Sequence, residues 1–302
     1  MMGRIKHSVK QIITLPARLA QLQENLSRLE WRLDELEAKQ QLNGVYTLYQ
    51  SAPVEVSSVI NRYELSVLSQ NGEDGVLFYL FSTLGTVNRY FVEFGIEDGR
   101  QCNTGNLSLN FGWRGLLIEG NVEYALNARQ YYAQRLRERR DDVKIANAFI
   151  QPDNINKLFE DNDVPAEIDL LSIDIDGNDY WVWQAMNATS PRIVVIEYNA
   201  SMGAERSIST QYDPTFDRWK KHDSGYYHGA SLTALNKLAA SKGYGLIGCD
   251  SLGINAFFVR SDVVAGKLPL LTPQAAFFPH FQRPESVEDQ FARIQHLSFE
   301  QV

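Results

Sequence analysis

Five apolar runs of β character recur through the middle of this chain, and each stops on a polar residue. They span residues 89–94, 115–119, 143–148, 168–174 and 192–198, and their ends carry Glu93, Glu119, Asn147, Asp174 and Glu197. Helical stretches are expected between them, notably over 122–139, 155–162 and 180–186. Short apolar strands alternating with helices predict a parallel sheet with crossover helices. After a further helix over 231–242, two last strands are expected at 243–248 and 255–260. The segment from Cys249 to Gly253 between them is too short for a crossover helix, so they should pair antiparallel. A plain dinucleotide-binding domain would instead continue with a parallel sixth strand.

In an open parallel sheet, ligands bind beyond the carboxyl ends of the strands. Four of the five polar ends are acidic here, and a merely structural sheet has no need of that. With 302 residues, 44% of them hydrophobic and 22% charged, the chain can bury one full core plus an appendage. The net charge of -8 argues against a general nucleic-acid binder, because a phosphate backbone selects basic surfaces. Two distant cysteines, Cys102 and Cys249, form neither a disulfide framework nor a zinc cage, and a reducing cytoplasm is the simplest setting. No apolar run approaches the ~18 residues of a membrane span. The first twenty residues are basic, but Gln11, Thr14 and Pro16 interrupt the apolar stretch a signal peptide would need.

The first forty residues are of another kind. Leu15, Leu19, Leu22, Leu26, Leu29, Leu33 and Leu36 alternate in steps of four and three, and Ile12 extends the row. This is a heptad seam with polar residues between, as in a coiled coil that makes a homo-oligomer. The alternative is an amphipathic helix packed on its own domain. The expected organisation is a coiled-coil helix over 1–40, a linker over 41–62, the α/β domain over 63–262 and a proline- and phenylalanine-rich strap over 263–302.

At the first strand end the sequence reads Glu93-x-Gly95-x-Glu97-x-Gly99. Glycines permit a tight turn and let the backbone approach a ligand. The middle glycine of a dinucleotide loop is replaced by Glu97, which would repel a pyrophosphate but accept a cationic, phosphate-free donor such as adenosylmethionine. Glu119 can accept hydrogen bonds from ribose hydroxyls, and Asn147 with Ala148 can meet an adenine edge. The fourth strand runs into Asp174-Ile175-Asp176-Gly177-Asn178-Asp179, a dense set of oxygen ligands. With Glu197, Asp174 and Asp176 could hold a divalent cation such as Mg2+ or Mn2+. The same loop could equally cap the next helix.

These motifs, in this order, resemble the FkbM-like family of S-adenosylmethionine-dependent O-methyltransferases. The resemblance rests on Ser69-Gln70-Asn71-Gly72-Glu73-Asp74-Gly75, Phe91–Gly95, Trp113–Glu119, Asp174–Gly177 and Asn255–Arg260, and it covers roughly residues 63–262. The commoner family form reads Asp-Val-Glu-Gly where this chain has Asp-Ile-Asp-Gly. The resemblance implies a Rossmann-like class I methyltransferase sheet of seven strands and methyl transfer to an oxygen, often on a sugar or glycan. The expected donor-binding set is Gln70, Glu93, Gly95, Glu97, Gly99, Asn103, Thr104, Glu119, Gly120, Asn147, Ala148 and Asp174.

Removing the hydroxyl proton needs a base. Asp174 and Asp176 are candidates, as are His222 and His228 in a polar, aromatic insert after the fifth strand. The reading that follows is a cytoplasmic O-methyltransferase acting on a sugar or glycan, peripheral to a membrane-associated glycan assembly. The alternative is an inactive methyltransferase-fold scaffold acting through the coiled coil, and an NAD-dependent enzyme is disfavoured by Glu97 and the closing hairpin.

Overall fold

The computed structural model describes residues 60–302, together with twelve helical positions between Arg18 and Leu36. The chain divides into two units, Met1–Tyr49 and Gln50–Val302. Leu15, Ile12 and Pro16 of the expected heptad lie outside the described residues, as do residues 41–59 of the expected linker.

In the larger unit the first helix, α1 (Glu73–Leu84), leads into the central strand β1 (Tyr90–Phe94). The parallel strands β2 (Arg114–Glu119), β3 (Val143–Asn147), β4 (Glu167–Ile173) and β5 (Ser190–Glu197) follow. Helices α2 (Gly105–Phe111), α3 (Val122–Leu136), α4 (Ile155–Asp161) and α5 (Asp179–Ala185) make the crossovers. A short strand β6 (Ile208–Thr210), then α6 (Arg218–Lys221) and α7 (Leu232–Ser241), precede the hairpin β7 (Tyr244–Cys249) and β8 (Asn255–Arg260). The order across the sheet is β3-β2-β1-β4-β5-β8-β7, with β8 antiparallel to both of its neighbours. The chain therefore starts in the middle, steps out to β3 and returns on the other side of β1 at β4.

Alternation along each strand splits the core in two. Val92, Leu116, Ile118, Leu171, Val194 and Ile196 pack on one face, and Phe91, Leu117, Leu170, Ile193 and Val195 on the other. Both faces are covered by helices, so the strands read as continuous apolar runs.

One buried acid sets the entry to β1. Asp169, fully buried on β4, accepts hydrogen bonds from the backbone N–H groups of Val87, Asn88 and Arg89 at 2.7–3.0 Å and pairs with Arg192 at 3.2 Å.

Most expected elements lie within one or two residues of their observed bounds. The expected helix 122–139 is shorter: α3 stops at Leu136, where Arg137 takes a φ of 54°, and 3-10 turns follow to Asp142. The chain is already inside the core at Ile60, which opens a 3-10 turn (Ile60–Tyr63). The last segment is more than an extended strap. It holds α8 (Ser261–Val264), α9 (Pro273–Ala276), α10 (Val287–Ile294) and β9 (Phe299–Gln301), and β9 pairs antiparallel with β6. The insert after β5 and the C-terminal segment thus hold each other through a two-stranded sheet.

Candidate functional site

A cavity of about 610 Å³ opens at the carboxyl ends of β1, β2, β4 and β5, within the size range of small-molecule sites. Its position is the point where the strand order reverses between β1 and β4.

Two carboxylates shape its first wall. Gly95 follows β1 with φ 67°, and its N–H donates to the Ile118 carbonyl at 3.1 Å. A Cβ there would overlap the carbonyl oxygen of Asp174, so only glycine lets the loops after β1 and β4 touch. Glu97 takes a left-handed φ of 49°, a cost of about 1–3 kcal/mol outside glycine. Its N–H donates to Oε2 of Glu119 at 2.9 Å, and the Asn121 N–H donates to Oε1 at 2.7 Å. An ionised carboxylate offers about four acceptor positions, so Glu119 keeps capacity for a ligand. Glu93 accepts the N–H groups of Asn103 and Thr104 at 2.8 and 2.9 Å and the Thr104 hydroxyl at 2.5 Å. Burial pushes its carboxyl up to about 7 against those bonds.

Gln70, Glu93, Gly95, Glu97, Asn103, Glu119, Gly120 and Ala148 all line the cavity. Gly99, Thr104 and Asn147 stand behind it. Gly99 packs beneath Tyr132 and Ala128, and Asn147 donates to the carbonyls of Glu119 and Gly120 at 2.8 and 3.1 Å. These three brace the loops that the lining residues occupy.

The second wall is built by Asp174, Asp176 and Glu197, whose carboxyl oxygens lie within 4.8 Å of one another. Asp176 holds a left-handed φ of 56°. The loop around it is shaped by Asp179, which accepts the N–H groups of Ile175 and Gly177 at 2.8 and 2.9 Å. Burial pushes the Asp174 carboxyl well above the usual carboxylate range, and repulsion from Glu197, Asp176 and Asp179 adds to it. Burial also raises Glu197, against the pull of Arg218 and Arg283.

The charge of this cluster is met from within the chain. Nη1 of Arg218 lies 2.9 Å from Asp176 and 3.8 Å from Glu197. Its Nε donates to the Gly225 carbonyl at 2.7 Å, which fixes the guanidinium. The donor set alone would suit a hard cation. With the guanidinium lodged among the acids, a divalent ion would meet direct repulsion at close range, so the residues present do not fit the expected Mg2+ or Mn2+.

Neither histidine of the insert lines the cavity. The His222 ring bonds Ser224 Oγ at 2.7 Å. His228 is buried behind Glu197, with Nδ1 3.5 Å from that carboxylate and Nε2 3.3 Å from Arg283. Burial and the two arginines hold its pKa well below the usual value, so it stays neutral. The imidazole that does reach the cavity is His280, from the C-terminal segment. Its Nδ1 accepts the Gln282 N–H at 3.2 Å, and burial lowers its pKa to about 4. Neutral, with Nδ1 accepting, it presents an N–H at Nε2 as a donor rather than a base. Arg218, Phe216 and His280 also line the cavity and carry no motif that would have marked them in the sequence, whereas Asn255, also in the lining, opens the Asn255–Arg260 motif.

The antiparallel β8–β7 pair beside β5 separates this sheet from a dinucleotide-binding one. The seven strands in this order, closed by the antiparallel hairpin, are the strand plan expected of a class I methyltransferase sheet. No protein-family model and no curated protein matches the chain. Among solved structures, it is similar to the O-methyltransferase from Bacillus cereus in complex with SAH, at 14% identity over 74% of this chain and 88% of that one, with a TM-score of 0.40. It is similar also to magnesium protoporphyrin IX methyltransferase from Synechocystis with bound SAM, at 11% identity over 63% and 78%, with a TM-score of 0.39. The N-terminal domain of EvdMO1 with SAH bound shares 12% identity over 64% and 81%, with a TM-score of 0.38.

Glu93 gives this wall a pH signature. Its folded carboxyl titrates at about 7 against an ordinary 4.5, so its contribution to stability is full below about pH 4.5 and is lost as pH rises through 7. Glu93→Gln does not titrate. The difference in Tm between the wild type and this variant should shrink from about pH 5 to about pH 8; a difference that grows with pH would contradict the assignment.

Proposed function

We propose that this chain transfers a methyl group from S-adenosylmethionine to a hydroxyl of a sugar or glycan-linked small molecule. One observation carries the reading. The wall formed by the ends of β1, β2 and β3 lines the cavity with Glu93, Glu97, Asp98 and Glu119 and, among the described residues, with no lysine or arginine, Arg100 pairing with Asp98 from outside the lining. A phosphate-bearing cofactor would be repelled there, and a sulfonium with its ammonium would be attracted. Bound adenosylmethionine supplies an electrophilic methyl group.

Each wall has its own part. Glu119 holds the ribose hydroxyls with the acceptor capacity that Glu97 and Asn121 leave. Gly120, Ala148 and Phe149 flank the base. Asp174 stands across the cavity and takes the acceptor hydroxyl proton as the oxygen attacks, its raised pKa making it a stronger base than a solvated aspartate. Arg218 pairs with Asp176 and Glu197 and holds them in place. Polar groups of Asp176, Asn178 and Gln282 beside the Phe216 and Phe281 rings suit a sugar, which presents hydroxyls at its edge and an apolar face.

The leucine row supports a homo-oligomer. Leu19, Leu22, Leu26, Leu29, Leu33 and Leu36 stand between 53% and 64% exposed. So narrow a stripe gains little alone and calls for a partner helix. Among the described residues no helix is long and apolar enough to cross a membrane.

Incubation with adenosylmethionine and a panel of sugars, read by release of S-adenosylhomocysteine, tests the activity. Asp174→Asn should lower kcat by about a hundredfold to ten-thousandfold while the melting curve stays cooperative; a fully active variant would refute the base assignment. Leu26→Glu with Leu29→Glu should reduce the mass seen by light scattering, and an unchanged mass would refute the coiled coil.

A further inference from the structure

One corner of the cavity has no part in this scheme. Strand β8 begins at Asn255, in register with Glu197 of β5. Asn255 is 3% exposed and lines the cavity. Its Nδ2 donates to Oε1 of Glu73 at 2.7 Å. The Glu73 carboxylate also accepts the backbone and side-chain N–H groups of Asn71, at 2.7 and 2.9 Å. A carboxylate only accepts, so the amide nitrogen of Asn255 is held toward Glu73 and the oxygen is turned the other way. That Oδ1 is buried and meets no donor among the described residues. A buried acceptor without a partner costs about 1–3 kcal/mol.

The surroundings specify the missing donor. Glu73 and Asp250 are fully buried and Glu93 is nearly so. Asp250 accepts the N–H groups of Leu252, Ile254 and Asn255. None of the three acids is in an ion pair among the described residues. An unmet acceptor beside three buried carboxyls, reached from a cavity, suits a cationic N–H donor of small size.

We propose that Asn255 Oδ1 receives a primary ammonium of a ligand bound in the cavity. Resting on the donor reading above, the source is the α-ammonium of the methionyl end of adenosylmethionine; an amino-sugar acceptor offers the same chemistry. Asn255 is then a binding residue at the start of a strand that contributes nothing else to the donor wall.

Titration calorimetry on the full chain separates these sources. The probes are S-adenosylhomocysteine, methylthioadenosine, which lacks the amino-acid portion, and glucosamine. Asn255→Leu should weaken S-adenosylhomocysteine by about tenfold or more and leave methylthioadenosine unchanged. Loss of glucosamine binding alone would assign the ammonium to the acceptor. If none of the three affinities changes, or if methylthioadenosine weakens as much as S-adenosylhomocysteine, the proposal is overturned. Failure of the wild type to bind S-adenosylhomocysteine would instead overturn the donor reading. Should Asn255→Leu not fold because Glu73 is left unpartnered, Glu73→Gln with Asn255→Leu removes the stranded charge and supports the same comparison.

Discussion

The approach of Gly95 to the carbonyl oxygen of Asp174 is the contact on which the site depends. It occurs at the one place in the sheet where neighbouring parallel strands send their chains in opposite directions, so β1 and β4 leave a crevice between their following loops. A side chain at Gly95 would overlap the Asp174 backbone and wedge those loops apart. With glycine there, one wall ends against the other and a single cavity touches both. Glu93 and Glu119 then act as braces. Each spends part of its acceptor capacity on backbone N–H groups of the loop after β1, and so fixes where that loop runs.

The two walls solve the burial of negative charge differently. The acids of the second wall are compensated by Arg218, which arrives from a four-residue helix in the insert. In the first wall Glu93 and Glu119 are met by backbone and hydroxyl hydrogen bonds, and among the described residues only Asp98, at the rim, has a counter-charge, Arg100 at 3.1 Å. Burying carboxylates without a counter-charge is expensive unless something cationic arrives. Under the proposed function, the first wall meets the cationic donor and the second a neutral, hydroxyl-rich acceptor.

Much of this was legible in the residues. Periodicity located all seven strands of the main sheet, because strands buried on both faces must be continuously apolar and must stop where they meet solvent. The short connector before β8 gave away the antiparallel ending. Strand-end acids pointed to the site because topology puts every parallel strand end on one side. Long-range pairing was not legible. Arg218 meets Asp176 across 42 positions, and Arg283 meets Asn199 across 84, with no local periodicity to mark either. Histidine 222 and 228 drew attention by their chemistry alone, whereas His280 reaches the cavity only because the C-terminal segment folds back over the turn at Gly253. The three-residue strands β6 and β9 are too short to register as a pattern, and their pairing is what closes the insert.

The central claim is that the acid-rich wall binds a phosphate-free sulfonium nucleoside. Titration calorimetry of the full chain with S-adenosylmethionine, run beside NAD and beside the Glu119→Ala variant, tests it most directly. Saturable heat with adenosylmethionine, none with NAD, and a clear loss of affinity in Glu119→Ala are the predicted results. Absence of heat at millimolar adenosylmethionine, or tighter binding of NAD, would contradict the account.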